Sequence, residues 1–273
     1  MRIAVVAPST PLEPQLAEKV LALATAEFPE VELAISPQCF LRFGHFAGED
    51  EVRARAFVEA ANDPQVDAIW FARGGYGSCR IAEDVIAALG RAAREKTYFG
   101  YSDAGYLLAG LYRAGFPHLV HGPMLGDAKR EGGEAAMRRS LAWLARGAPE
   151  SLEGSLEPGV PTAAFNITVL SQLLGTPLEP DLSGHVLMLE DVAEYMYRID
   201  RSLFHITSQA SIRRVAGICF GRCTDVLEND PEFGADAEDV VRHWCGRSGI
   251  PYLGRCDIGH DAANKVVPFG MRP

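Results

Sequence analysis

The chain has 273 residues, of which 48% are apolar and 23% charged, and its formal net charge is −10. This length and composition are typical of a soluble protein with one large or two moderate domains, and no stretch approaches the roughly 20 apolar residues that span a membrane. The acidic charge argues against nucleic acid as a partner, because phosphate binding needs clustered Lys and Arg. We therefore expect a small molecule or a peptide as substrate.

The N-terminal segment runs from one basic residue into a short apolar stretch without a cleavage site, which predicts a buried first strand rather than a signal peptide. Cysteines are scattered through a chain long enough to fold without cross-links, so we expect reduced thiols and a cytoplasmic protein. They are Cys39, Cys79, Cys219, Cys223, Cys245 and Cys256.

Up to about residue 148, short apolar runs alternate with amphipathic stretches, which is the pattern of βα units in a parallel sheet. The predicted strands are Ile3–Ala7, Val31–Ile35, Ala68–Phe71 and Lys96–Gly100. The predicted helices are Pro14–Phe28, Asp50–Asn62, Cys79–Leu89 and Ala104–Arg113. Asp50 is predicted to cap the second helix, and Gly115 to follow the end of the fourth.

Residues 149–161 are rich in Pro, Gly and Glu and lack apolar periodicity, which indicates a linker between a first domain at 1–148 and a second at 162–273. In the second domain the predicted helices are Ile167–Leu174, Tyr197–Gln209 and Ala237–Ser248. The predicted strands are His185–Glu190, Ala216–Phe220 and a strand near Tyr252–Gly254.

Ser102 stands at the turn from a predicted strand to a predicted helix, within the hexapeptide Gly100–Gly105. Small residues around a serine let the backbone bend sharply, which lifts the hydroxyl clear of the sheet at a helix N-terminus, as in a nucleophile elbow. An ordinary helix-capping serine fits the same position. The local sequence leaves both interpretations open.

A second glycine-rich turn, Arg73–Gly77, follows the third predicted strand. Its glycines free the backbone to approach a ligand, and N–H groups at this end of a parallel sheet can accept a developing oxyanion. A phosphate loop and a plain tight turn are the alternatives. The turn lacks both the dinucleotide-binding spacing and the Lys-Ser/Thr of the nucleotide P-loop.

Two further candidates lie in the second domain. Glu190 ends a predicted buried strand, where a carboxylate is unfavourable unless it is paired or functional, and His260 follows Gly259 in a turn. A surface histidine fits that turn equally well, and spacing cannot choose among the other histidines. Those histidines are His45, His118, His121, His185, His205 and His243.

No metal site is predicted, because the pair Cys219 and Cys223, with His243 and Cys245, lacks the spacing of zinc knuckles. The acidic run at 228–236 is interpreted as a solvated loop, which could also help to define a substrate if it lies beside the site.

Taken together, several segments resemble the LD-carboxypeptidase family of serine peptidases, which includes muramoyl-tetrapeptide carboxypeptidase and the microcin C self-immunity hydrolases. Each segment is a weak signal, but their shared order and separation are specific. The segments are Val6–Ser9, Arg73–Gly77, Gly100–Asp103, His121–Met124, Leu174–Pro177, Leu189–Asp191 with Glu194, Arg198–Arg201 and Gly259–His260.

The resemblance implies an α/β protein with a flavodoxin-like parallel-sheet N-terminal domain and a smaller, β-rich α/β C-terminal domain. It implies a homodimer without a cofactor. It also implies a catalytic triad of Ser102, His260 and Glu190, with the backbone N–H groups of Gly75 and Asp103 as oxyanion donors. The residues expected to bind substrate are Arg73, Gly74, Tyr76 and Asn166.

The family activity implied by the resemblance is release of the terminal D-amino acid from an L,D-peptide bond in recycled cell-wall peptides. The immunity branch instead cuts an acyl amide in a peptide-nucleotide. This chain departs from the family at Ala163–Asn166, where relatives usually have Gly-Gly-Asn. A non-catalytic protein that binds cell-wall peptides is therefore a second hypothesis, and a nucleotide-binding regulator that uses the turn at Gly74–Gly77 is a third.

Overall fold

A computed structural model describes residues 1–271 of the chain as two sheets with helices packed on them. The first half forms, in chain order, β1 (Arg2–Val6), α1 (Pro14–Glu27), β2 (Glu32–Ile35), α2 (Asp50–Asn62), β3 (Ala68–Phe71), α3 (Ala82–Ala87), β4 (Thr97–Gly100), α4 (Gly105–Arg113), β5 (Leu119–His121) and α5 (Gly133–Arg146). These five strands are parallel, and their order β2-β1-β3-β4-β5 is that of flavodoxin-like sheets. The predicted N-terminal fold is confirmed.

The second half forms β6 (Thr162–Asn166), α6 (Ile167–Leu173), β7 (Val186–Val192), α7 (Met196–Ser208), β8 (Gly217–Thr224), α8 (Ala237–Ser248), β9 (Tyr252–Arg255) and β10 (Val267–Pro268). Strands β6 to β9 make a smaller parallel sheet in sequence order. β10 returns to the first sheet and pairs antiparallel with β5, so that Val267 lies opposite His121. The end of the chain is thereby fastened to the edge of the first sheet.

The inner strands β1 and β3 of the first sheet have continuous apolar runs because they are buried on both faces, and every residue of β3 is buried, whereas the edge strand β2 is partly exposed. Most predicted elements match the structure within a few residues. Gly115 has a φ of 77° directly after the last turn of α4, as predicted. Elements β5, α5, β6 and β10 were not predicted from the sequence.

Two predictions about local structure are wrong. Asp50 does not cap α2: Glu49 occupies the cap position without a capping bond, and the Asp50 carboxylate instead accepts hydrogen bonds from Arg53 and Arg80. The helix predicted from residue 79 begins later, because a 3-10 turn at Ser78–Arg80 precedes α3.

The segment predicted as a linker, residues 149–161, starts with a 3-10 turn at Pro149–Ser151. Leu152 and Leu156 are buried in the core, and Leu152 bridges Val266 just before β10. Its role as a boundary between domains stays a prediction.

Within residues 1–271, no helix is both long and apolar enough to cross a membrane.

Arg53 on α2 is a buried cation that holds two loops of the first sheet together. Its side chain is 1% exposed, and Nη1 donates to the carbonyl oxygens of Pro8 and of Gly77, the latter at 2.9 Å. Nη2 donates to Asp50, and the guanidinium lies 4.8 Å from the centre of the Phe46 ring. The loop after β1 is thus tied to the glycine-rich turn after β3.

We expect Arg53→Ala to lower the free energy of unfolding by about 2–5 kcal/mol, because it leaves the Pro8 and Gly77 carbonyl oxygens without their donor and removes a large buried side chain. Urea denaturation followed by circular dichroism measures this. Arg55→Ala is the matched control, since Arg55 is exposed on the same helix, and its effect should stay within about 0.5 kcal/mol. Equal stability of the two variants would contradict this role of Arg53.

Candidate active site

Ser102 lies in a sharp turn between β4 and α4. The serine has a left-handed backbone with φ of 59°, and a 3-10 turn at Ser102–Ala104 leads into the helix. Glycines make the turn possible: a Cβ on Gly100 would lie 2.5 Å from Phe71, and one on Gly74 would lie 3.0 Å from Ser102 Oγ. The backbone therefore has the form of a nucleophile elbow, and the cap position of α4 is occupied by Ala104 rather than by the serine.

His260 lies between Ser102 and Glu190. Its Nε2 is 3.0 Å from Ser102 Oγ, and its Nδ1 is 2.5 Å from Glu190 Oε2. Both the imidazole and the carboxylate are buried, and Glu190, on β7, is 0% exposed. A proton on Nδ1 donates to the carboxylate and leaves Nε2 free to accept from the hydroxyl. The structure thus brings three residues from distant parts of the chain into one hydrogen-bonded series.

Gly75 and Asp103, the expected oxyanion donors, flank the serine. Gly75 has a φ of 102°, and a Cβ there would lie 2.5 Å from Thr10. Its N–H donates to no other residue of the described range 1–271. Asp103 is held by its buried carboxylate, which accepts from the Ser9 hydroxyl and, at 2.8 Å, from the Ser78 N–H. The elbow is therefore fixed to the loops that follow β1 and β3.

Two of the four residues expected to bind substrate line the cavity at Ser102, and two do not. The cavity has a volume of about 220 Å³, and Arg73 and Gly74 form part of its wall. Tyr76 instead projects outward with 49% exposure. Asn166 caps α6 by accepting from the Val169 N–H at 3.1 Å, and it donates to Asp191 at 2.8 Å. The side chains of Tyr76 and Asn166 are thus placed for contacts outside the cavity at Ser102.

Comparison with known proteins finds matches over nearly the whole chain. Residues 3–122 match the family description "LD-carboxypeptidase N-terminal domain", and residues 161–272 match "LD-carboxypeptidase C-terminal domain". A Synechocystis protein provisionally named a carboxypeptidase is 33% identical, over 99% of this chain and 90% of the relative. The chain belongs to the LD-carboxypeptidase family. It is therefore a serine-type carboxypeptidase.

Further proteins similar to this LD-carboxypeptidase are also named as carboxypeptidases or share its fold. The murein tetrapeptide carboxypeptidase of Pseudomonas aeruginosa is 29% identical, over 98% of this chain and 91% of the relative. The crystal structure of muramoyltetrapeptide carboxypeptidase from Oxalobacter formigenes superimposes with a TM-score of 0.82 at 23% identity, covering 100% of this chain and 96% of the other. A structure of MccF in complex with glutamyl sulfamoyl guanosine gives 0.77 at 18%, covering 98% and 91%. These two structural likenesses establish the fold.

The loop that carries His260 is held by residues of the first half of the chain. Asn264 Oδ1 accepts from the Gly259 N–H at 3.3 Å and lies 3.2 Å from His121 Nε2, at the end of β5. Arg139 on α5 donates to the carbonyl oxygens of Ala262 and Asn264 at 2.9 and 2.8 Å. Burial lowers the pKa of His121 to about 4, so this imidazole is neutral at pH 7. In the sequence, His121 is a competing histidine and part of the resembling segment His121–Met124, whereas Arg139 and Asn264 carry no signal.

Opposing effects act on the pKa of His260. Burial lowers it, whereas the negative charge and the hydrogen bond of Glu190 raise it, and the net pKa lies above the ordinary value. A raised pKa means that the imidazole is a stronger base than an exposed histidine.

Within residues 1–271, no cluster of His, Cys, Asp and Glu has the arrangement of a metal site.

We expect Glu190→Gln to lower the pKa of His260, since the amide keeps the size of the side chain and removes the charge that favours imidazolium. In an NMR titration, the imidazole of the variant should therefore become neutral at a lower pH than in the wild type. Glu194→Gln is the control, because Glu194 follows the same strand and pairs with Arg198 instead. An unchanged titration of His260 in Glu190→Gln would show that the carboxylate does not control the imidazole.

Proposed function

We propose that this protein hydrolyses an L,D-amide bond in cell-wall (murein) peptides, with Ser102 as nucleophile, His260 as general base and Glu190 as the residue that orients the histidine. The observation that carries the proposal is the series of hydrogen bonds from the Ser102 hydroxyl through the imidazole to the buried carboxylate. The substrate class is supported by the names of the Pseudomonas relative and of a Bacillus subtilis relative, which refer to murein peptides.

In this mechanism, Ser102 Oγ attacks the carbonyl carbon of the scissile amide while its proton passes to Nε2 of His260. The carbonyl oxygen becomes an oxyanion, which the N–H groups of Gly75 and Asp103 stabilise. The tetrahedral intermediate collapses, the C–N bond breaks, and the imidazolium gives its proton to the leaving amine. Water then attacks the acyl-enzyme with His260 again as base, which releases the shortened peptide and restores the serine.

Glu190 does not itself take the proton in this mechanism. Its hydrogen bond to Nδ1 fixes the ring orientation and the tautomer, and its charge stabilises the imidazolium that forms when Ser102 loses its proton. Because the carboxylate is fully buried, water screens this interaction weakly. The raised pKa of His260 is the expected consequence of such a pair.

The bulk that this chain carries at Phe165, where relatives usually have glycine, lies away from the cavity at Ser102. Phe165 is 1% exposed and packs against Phe269 at a ring distance of 5.3 Å, within the core and away from the cavity wall. Its bulk, which motivated the hypothesis of a non-catalytic binding protein, therefore leaves the space at Ser102 unchanged. The glycine-rich turn supplies Gly74 and Gly75 to the wall of the cavity at Ser102, which favours a catalytic role of this turn over nucleotide regulation.

Hydrolysis of a peptide-nucleotide amide remains the second candidate, because the MccF structures share this fold. Mass spectrometry of products from L,D-peptides and acyl-sulfamoyl adenylates distinguishes the two. We also propose a homodimer in the cytoplasm, on the resemblance to the family alone.

Ser102→Ala should reduce kcat by about 10⁴- to 10⁶-fold on an L,D-tetrapeptide, because no other group supplies the nucleophile. Release of the terminal residue is measured by liquid chromatography and mass spectrometry, and circular dichroism verifies the fold. Ser155→Ala, at an exposed position, is the control and should retain wild-type turnover.

Near-normal turnover by Ser102→Ala would refute the proposed nucleophile. Labelling by a phosphonofluoridate separates a hydrolase from a binding protein, because a phosphonyl adduct requires an activated hydroxyl. We expect one equivalent of label on Ser102 in the wild type and none in the alanine variant. Absence of label on wild-type Ser102 would favour the binding protein.

A further inference from the structure

The cavity at Ser102 is cationic, although the protein as a whole is acidic. Its wall contains three basic side chains, Arg73, Lys129 and Arg130, and one carboxylate, Asp127. The chain carries a formal charge of −10, so a local excess of positive charge runs against its average. Such a local field concentrates anionic groups at the place where the serine acts.

Asp127 does not cancel this excess, because its carboxylate is already engaged by protein donors. Oδ1 accepts from the Tyr101 hydroxyl at 2.8 Å and from Arg130 Nε at 2.9 Å. Oδ2 accepts from the Met124 N–H at 2.9 Å. Arg130 and Asp127 thus form a pair that supports the wall, and they leave the other two cations to act on a ligand.

Arg73 is held in position by the protein and has no anionic partner. Its aliphatic stem packs on Gly126, where an added Cβ would lie 3.1 Å from Arg73 Cγ. Nη1 donates to the Pro11 carbonyl oxygen at 3.2 Å, which fixes one side of the half-buried guanidinium. Among residues 1–271, neither Arg73 nor Lys129 forms an ion pair, whereas Arg130 pairs with Asp127. Arg73 and Lys129 are therefore available to pair with an anionic group of a ligand.

We propose that Arg73 and Lys129 bind the terminal carboxylate of the substrate and so restrict cleavage to the last peptide bond. This inference rests on the proposed function and assigns the two residues that select a substrate with a free terminal carboxylate. A guanidinium matches a carboxylate in geometry and charge, and Lys129 adds a second positive charge. A peptide that continues beyond the scissile bond, or that ends in an amide, lacks the anion and leaves both cations unpaired.

The test compares two peptides of identical sequence, one with a free C-terminal carboxylate and one with a C-terminal amide. The wild type should cleave the acid with the higher kcat/KM. In Arg73→Gln and in Lys129→Gln, kcat/KM for the acid should fall about 10- to 100-fold, mainly through KM, because each loses one charged contact. The value for the amide should change little, so the preference for the acid shrinks.

Two further variants make this test specific. Arg73→Lys keeps the charge and loses the planar fork, so its preference should lie between those of the wild type and Arg73→Gln. Arg55→Gln removes an exposed arginine from α2 and should keep the wild-type preference. Lys129 is exposed, so its substitution tests the subsite without disturbing a buried contact.

Equal wild-type activity on the acid and the amide would overturn the subsite while leaving the proposed hydrolase in place. So would an unchanged preference in both Arg73→Gln and Lys129→Gln. Failure of the wild type to cleave either peptide would instead overturn the proposed function, and the subsite with it.

Discussion

The hydrogen bond of 2.5 Å between His260 and Glu190 is the interaction on which the rest of the site depends. It fixes the plane of the imidazole and the tautomer that lets Nε2 accept from Ser102. It also accounts for the presence of a carboxylate in the middle of a sheet, where an unpaired charge would be strongly unfavourable. His260 thereby links the two sheets, because Ser102 follows a strand of the first sheet and Glu190 lies on a strand of the second.

The fold keeps these partners together by crossing between its two halves. β10 returns from the second half to pair with β5, and the His260 loop that precedes it is held by His121 and Arg139 of the first half. Displacement of one half would therefore disturb the hydrogen bond between His260 and Ser102. Glycines on the other side of the site, at Gly74 and Gly75, allow the backbone to approach the hydroxyl closely.

Electrostatics divides the site into two regions. Behind the imidazole, a buried carboxylate raises the basicity of His260, whereas the open cavity in front is lined by cations. The first region suits transfer of a proton from the hydroxyl, and the second suits an anionic ligand. Because the cavity lies at the carboxyl ends of β3 and β4, its position follows from the general rule for ligands in parallel α/β sheets.

The sequence by itself determined the parallel α/β sheet and the turn at Ser102, because apolar runs, helical periodicity and glycines are local properties that a linear pattern preserves, but it left open whether the serine is a nucleophile or a helix cap. Resemblance to a family, rather than local chemistry, selected Glu190 and His260, since His260 alone is indistinguishable from a surface histidine. The two-residue strand β10, the supporting contacts of Arg139 and Asn264, and the cations at 129 and 130 had no sequence signal. Tertiary structure alone decided these features, and also turned Tyr76 and Asn166 away from the cavity, because each depends on packing between segments far apart in the chain.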